Sequence, residues 1–276
     1  MNKQKESAVK QAEKSESENG QSQNPKNVGG DYFADFDFGK VKVDMREMLK
    51  SGVHFGHQKA RKNPKMGEYI FTTKSGINII DLEKSAQKME EASQFISKII
   101  SEGQELLLVG TKKQSKKLVK SLARRLVLPF VTERWLGGTF TNFKNISTRT
   151  KFLRDGEEKM KKGEFSQYTK FEQMKISEEL KKLEEKMGGI KTMTKLPMAI
   201  FVASLVEDNL AVQEAIRKNI PIIALADTNV DPSEIDYPIP ANDDAVSSLK
   251  TMLAYIGKAV EEGKSLQAKA KSEIPK

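Results

Sequence analysis

The residues in this chain best equipped to do chemistry are its cations. Lys59, Arg61, Lys62 and Lys65 crowd the polar stretch His57-Gln-Lys-Ala-Arg-Lys-Asn-Pro-Lys65, and Lys112, Lys113, Lys116, Lys117 and Lys120 follow the apolar run Leu106 to Val109. A third group is Arg134-Trp-Leu-Gly-Gly-Thr-Phe-Thr-Asn142 with Lys144 just beyond it, which joins an Arg and a Lys to two glycines and to hydroxyl and amide side chains. Ammonium and guanidinium groups neutralise phosphates, N–H groups at glycines donate to phosphate oxygens, and polar side chains reach sugar hydroxyls. Lys59, Arg61, Lys62, Lys65, Lys112, Lys113, Lys116, Arg134, Asn142 and Lys144 are therefore the candidate contacts to a polyanion. Trp135 and Phe140 read as core residues instead.

Other chemistries find less support. His54 and His57, the two histidines of the chain, stand three apart in Gly52-Val-His-Phe-Gly-His57 and would share a face if the segment were helical. They are weak metal candidates, because two ligands do not make a site and the spacing does not identify a third. A nucleotide-binding enzyme or sensor is the alternative reading. Gly110, Thr111, Ser204 and Asp227 close apolar runs that read as strands, and ligands of open α/β sheets sit beyond such ends. The Gly-rich phosphate loop and the dinucleotide fingerprint are both absent, and no G-x-S-x-G elbow exists. Ser204-Leu-Val-Glu207 reads as a capping box that starts a helix. Asp243-Asp244 reads as the acidic start of a helix rather than a catalytic pair.

Composition bounds these readings. The chain has 276 residues and no Cys, with 47 Lys+Arg against 38 Asp+Glu for a net charge of +9. Such a length buries a sizeable core without disulfides, and thiol chemistry is excluded. No run approaches the roughly 18 apolar residues of a membrane span, and the first residues lack an apolar signal core, so no membrane partner is expected. Residues 36 to 150 hold 22 Lys+Arg against 11 Asp+Glu, more than the whole excess. A basic block within a nearly neutral remainder is the footprint of a phosphate-bearing partner.

The elements that must position these groups follow from periodicity. Residues 1–38 read as a disordered, polar N-terminal extension, although Tyr32, Phe33, Phe36 and Phe38 are apolar enough to anchor on a domain surface. Residues 39–264 read as an α/β domain, and 265–276 as a flexible tail. Asp44 to Val53 is expected as a short helix, Tyr69 to Thr73 with Ile77 to Asp81 as a hairpin, and Leu82 to Glu102 as a long helix. Strands are expected at Leu106 to Val109, Phe130 to Val131, Met198 to Ala203 and Pro221 to Ala226. Helices are expected at Gln114 to Leu126, Asn209 to Lys218 and Asp243 to Glu261. Apolar strands alternating with helices predict a doubly wound parallel sheet covered on both faces. Ile146, Leu153 and Met160, then Ile176, Leu180, Leu183 and Met187, predict an inserted antiparallel helical hairpin (a coiled-coil arm) over about 145–188.

The singled-out residues also carry a family likeness. Val53-His-Phe-Gly-His57, Asn63-Pro-Lys-Met66, Ile77-Asn-Ile-Ile-Asp-Leu-Glu-Lys84, Val109-Gly-Thr-Lys112, Arg134-Trp-Leu-Gly-Gly138, Thr141-Asn142, Gly188-Gly-Ile-Lys191, Asp227-Thr-Asn229 and Asn242-Asp-Asp-Ala245 resemble, in order, the bacterial small-ribosomal-subunit protein two family. The resemblance runs from about Val43 to Gly263. It implies a flavodoxin-like domain with the helical arm and a structural, non-enzymatic role in translation within the cytoplasmic small subunit. It also implies contacts to rRNA and neighbouring ribosomal proteins, including ribosomal protein one, with no cofactor and no small-molecule substrate. The N-terminal extension is longer than the family usually has, and Ser204-Leu-Val-Glu-Asp-Asn209 departs from its usual turn.

Overall fold

The computed structural model describes residues 32–33 and 36–272. Residues 1–31 of the expected extension lie outside the described residues. Its proposed end at residue 38 is too late, because Phe33 and Phe38 are buried in the core. Their rings stack at 5.9 Å, and the Phe33 N–H donates to Ser121 Oγ at 3.0 Å. Gly257 makes room for Phe38, since a Cβ at that glycine would fall 2.4 Å from the ring.

Helix α1 (Met45–Lys50) starts at Asp44, whose carboxylate accepts the Arg46 N–H, and leads into strand β1 (Phe55–Gln58). Strands β2 (Ile70–Lys74) and β3 (Ile77–Ile80) form the expected hairpin, and β3 also pairs antiparallel with β1. Helix α2 (Leu82–Ser101) follows, capped by Asp81. Then come β4 (Leu106–Val109), α3 (Lys113–Leu126), β5 (Phe130–Val131), α4 (Phe143–Lys161) and α5 (Lys170–Met187). The chain finishes through β6 (Ala199–Val202), α6 (Asn209–Arg217), β7 (Ile222–Ala226), β8 (Tyr237–Pro240) and α7 (Val246–Ser272).

The main sheet is parallel throughout, in the order β5-β4-β6-β7-β8. Its second strand in sequence lies outside its first, so the winding reverses between β4 and β6, the flavodoxin-like order. Leu106 and Leu108 face one cluster with α2, α3 and α7, whereas Leu107 and Val109 face the opposite cluster with Trp135, Phe140 and α6. This is the two-sided burial that an all-apolar strand requires.

Besides strand β1, which the sequence reading did not expect, three features differ from it. Strand β8 is Tyr-Pro-Ile-Pro, and its prolines are tolerated because it is the last strand of the sheet, with its outer side unpaired. Helix α7 continues to Ser272 and so replaces most of the tail expected over 265–276; residues 273–276 lie outside the described residues. Gly263 lets α7 lie directly on α2, where a Cβ would come 2.7 Å from the Ser97 carbonyl oxygen. The polar run after it stays helical because Ala, Lys and Gln are good helix formers whether or not they are buried. The capping box at Ser204 and Glu207 is not formed: α6 begins at Asn209, after a turn in which the Asp208 N–H donates to the Ser204 carbonyl.

Helices α4 and α5 pack on one another where Gly156 receives Leu180; a Cβ on that glycine would sit 2.6 Å from the leucine. Leu153 and Leu180 are buried, Ile146 and Met187 are buried in the main-domain cluster with Leu107 and Val109, and Met160 is 44% exposed. Lys191 ties the pair at its base through Glu157 and Glu184, at 3.1 and 3.2 Å. Thr169 and Glu172 form a reciprocal cap at the start of α5.

Candidate nucleic-acid interface

Because the main sheet is parallel, the segments after β4, β5, β7 and β8 all leave from one carboxyl edge. These segments contain Gly110 to Lys113, Glu133 to Asn142, Asp227 to Asp231 and Asn242 to Asp244. The basic stretch 57–65 is fastened to the same edge, since the His57 N–H donates to Thr228 Oγ1 at 2.8 Å and the Asn63 N–H to the Thr228 carbonyl at 2.9 Å. Gly56 permits this approach: a Cβ there would lie 2.5 Å from the Thr228 methyl group. The three cationic groups picked out by spacing therefore meet on one side of the fold.

Within that side the cations divide into two sets. Lys65 pairs with Asp231 at 2.8 Å, Lys116 pairs with Glu133, and Lys112 bridges Asp243 at 2.7 Å and Asp244 at 2.9 Å. Burial would lower the Lys112 pKa, but the two carboxylates outweigh it and hold the ammonium above its usual range. Asp231 is held down to about 2 by Lys65 and by N–H and hydroxyl donation from Ser233. These three lysines brace loops. By contrast, Lys59, Arg61, Lys62, Lys113, Arg134 and Lys144 are exposed and make no ion pair among the described residues, and the Asn142 side chain is exposed beside them.

The histidines do not share a helical face; His57 lies in strand β1 and His54 just before it. His54 stacks on Phe55 with ring centres 4.0 Å apart, and burial lowers its pKa. Its Nδ1 has no partner among the described residues. His57 instead meets Asp227 through Nδ1 at 3.1 Å and Asp244 through Nε2 at 3.5 Å, and the hydrogen bond to Asp227 is the main reason its pKa is raised. His57, Asp227 and Asp244 each offer a ligand atom within 4.8 Å of the others, a geometry that a divalent cation also fits. Lys112 already sets positive charge against Asp244, and the His57 imidazole bridges both carboxylates.

The loop from Arg134 to Asn142 is organised by a residue that the sequence reading missed. Glu214 of α6 is 3% exposed, and its carboxylate accepts the Gly138 N–H at 2.7 Å, the Phe140 N–H at 2.9 Å, the Thr141 N–H at 3.1 Å, the Thr141 hydroxyl at 3.3 Å and the Trp135 Nε1–H at 3.3 Å. Burial pushes its pKa up, but the donors overcome that and hold it below the usual range. The Gly138 N–H, one of the two glycine N–H groups expected to face phosphate, is thus directed inward together with those of Phe140 and Thr141. Trp135 and Phe140 are core residues as expected, 5% and 1% exposed, in an edge-to-face pair 4.9 Å apart. A charged residue between Ala211 and Ala215 on the apolar stripe of α6 was the available signal.

At the winding reversal the turn at Gly110 is tightly packed, whereas Asp227 at the end of β7 lines an open pocket with His57, Asn242 and Asp244. A Cβ on Gly110 would lie 2.7 Å from Val119 of α3, so the turn is packed by side chain where a phosphate would need space. Thr111 donates through its hydroxyl and its N–H to Asp208 at 2.8 and 3.3 Å, and the buried Ser204 hydroxyl has no partner among the described residues. Asp208 is 1% exposed, and burial raises its carboxyl to about 6. A raised acid favours folding while it is protonated, so its contribution is present below the ordinary value near 3.8 and is lost as pH rises through about 6. Asp208→Asn should therefore stabilise the protein by about 1–2 kcal/mol at pH 8 and by almost nothing at pH 4. Denaturant unfolding of both proteins across that range checks this; a difference independent of pH would contradict it.

The main domain is thus a parallel flavodoxin-like sheet whose carboxyl edge carries exposed cations. Residues 48–263 match the family model described as Ribosomal protein S2. The chain is 45% identical over 232 residues to the small ribosomal subunit protein uS2 of Roseiflexus sp. (strain RS-1), covering 84% of this chain and 88% of the relative. It is 46% identical, with the same coverage, to the uS2 protein of Roseiflexus castenholzii (strain DSM 13941 / HLO8). The chain belongs to the ribosomal protein S2 family, whose members are structural proteins of the small subunit and not enzymes.

Proposed function

We propose that the carboxyl edge of the main sheet binds rRNA of the small subunit. The contacts are Lys59, Arg61, Lys62, Lys113, Arg134, Asn142 and Lys144, and Lys65, Lys112 and Lys116 hold the loops that carry them. The observation supporting this reading is that exposed cations with no ion pair among the described residues leave from one edge, while most of the acidic groups there are paired with lysines or His57. The protein would also touch neighbouring small-subunit proteins, ribosomal protein one among them, as the family assignment suggests. No small molecule is needed for this role.

Phosphate contacts release counterions, so association should weaken steeply as salt rises. The purified chain, mixed with small subunits stripped of this protein, should co-sediment at 50 mM salt and lose affinity by about 10³-fold or more by 200 mM. Recovery only in the supernatant at low salt would refute the proposal.

A further inference from the structure

We infer that Glu214 is a positioning residue for the rRNA-facing loop, acting as an internal anion around which Arg134 to Asn142 is wound. This rests on the proposed rRNA reading. Trp135 and Phe140 anchor this loop in the core, but the Gly137-Gly138 turn between them has no side chain to fix its path. Five hydrogen bonds from four loop residues converge on the Glu214 carboxylate, and they come from both sides of the Gly137-Gly138 turn. Gly138 has φ +90, a conformation costly to other residues, and its N–H makes the shortest of these bonds. Turning Gly138, Phe140 and Thr141 inward leaves the outer surface of the loop to its side chains. Arg134 stands exposed at one end, Asn142 at the other, and Lys144 in the first turn of α4. Charged acceptors bind such donors more strongly than neutral ones, so a carboxylate suits this place better than an amide. An amide of the same shape would also turn an N–H₂ group toward N–H donors.

Trp135 is the sole Trp in the chain and donates to the same carboxylate, so its fluorescence reports directly on the docked loop. The test compares wild type, Glu214→Gln, the surface triple variant R134A/N142A/K144A, and the two combined. Glu214→Gln should keep the far-ultraviolet circular dichroism of the fold, shift Trp emission to the red, and weaken binding to stripped small subunits by about tenfold. In the triple background the same substitution should still shift the emission but weaken binding by less than about twofold, because its effect passes through the groups already removed. If Glu214→Gln does not fold, Glu214→Asp takes its place; it keeps the charge on a shorter arm and should give a smaller red shift with a smaller loss of binding. Unshifted emission, wild-type binding by a shifted variant, or an undiminished loss in the triple background would each overturn the inference. Failure of the wild type itself to bind would refute the rRNA reading, and the emission measurement would still decide whether Glu214 organises the loop.

Discussion

Replacing Lys59, Arg61, Lys62, Lys113, Arg134 and Lys144 together with Ala is expected to weaken binding to stripped small subunits by about 10³- to 10⁵-fold at 0.1 M salt. Each neutralised phosphate contributes about −0.7 to −0.9 to the slope of log affinity against log salt. Losing six contacts should therefore flatten that slope by about four to five. The fold should be spared, because these side chains are exposed and make no ion pair among the described residues. Each exposed substitution should change folding stability by less than about 0.5 kcal/mol. Titration at several salt concentrations checks both expectations. An unchanged slope would remove these residues from the interface.

Lys112 should behave in the opposite way. Its ammonium is 15% exposed and bridges Asp243, which is 3% exposed, to Asp244. Lys112→Ala leaves Asp243 charged, buried and without its cation, which costs about 3–5 kcal/mol of folding stability. Asp243 and Asp244 follow β8 whereas Lys112 follows β4, so the lost contact joins two distant parts of the chain across the carboxyl edge. Equilibrium unfolding measures the loss, and binding per folded molecule should fall by less than about tenfold. A stability change below about 1 kcal/mol, accompanied by a large loss of binding, would make Lys112 a phosphate contact instead.

The contrast between these variants marks the limit of what the sequence carries. Apolar runs such as Leu106 to Val109 and Ile222 to Ala226 announced buried parallel strands because both faces of such a strand meet helices. Lys112, Lys113 and Lys116 look alike in sequence, yet Lys112 and Lys116 pair with carboxylates and Lys113 makes no ion pair among the described residues. What separates them is the position of Asp243, Asp244 and Glu133, which only the folded chain brings near. Glu214 escaped notice for a related reason: its partners are N–H groups, which every loop possesses and which no residue type reveals. His57 was suspected of binding chemistry, but Asp227 and Asp244 lie 170 and 187 positions downstream, and nothing in the spacing points to them. Strand β8 was hidden by prolines that are tolerable only on an edge, and the edge is a property of the assembled sheet.

The carboxyl edge of the main sheet is proposed as the rRNA-facing side. A density map of the small subunit with this chain in place tests it most directly. In that map Lys59, Arg61, Lys62, Lys113, Arg134 and Lys144 should lie within hydrogen-bonding reach of rRNA phosphates, while Lys112 stays on Asp243 and Glu214 stays inside its loop. A map in which this edge faces solvent or protein while another surface meets the rRNA would contradict it.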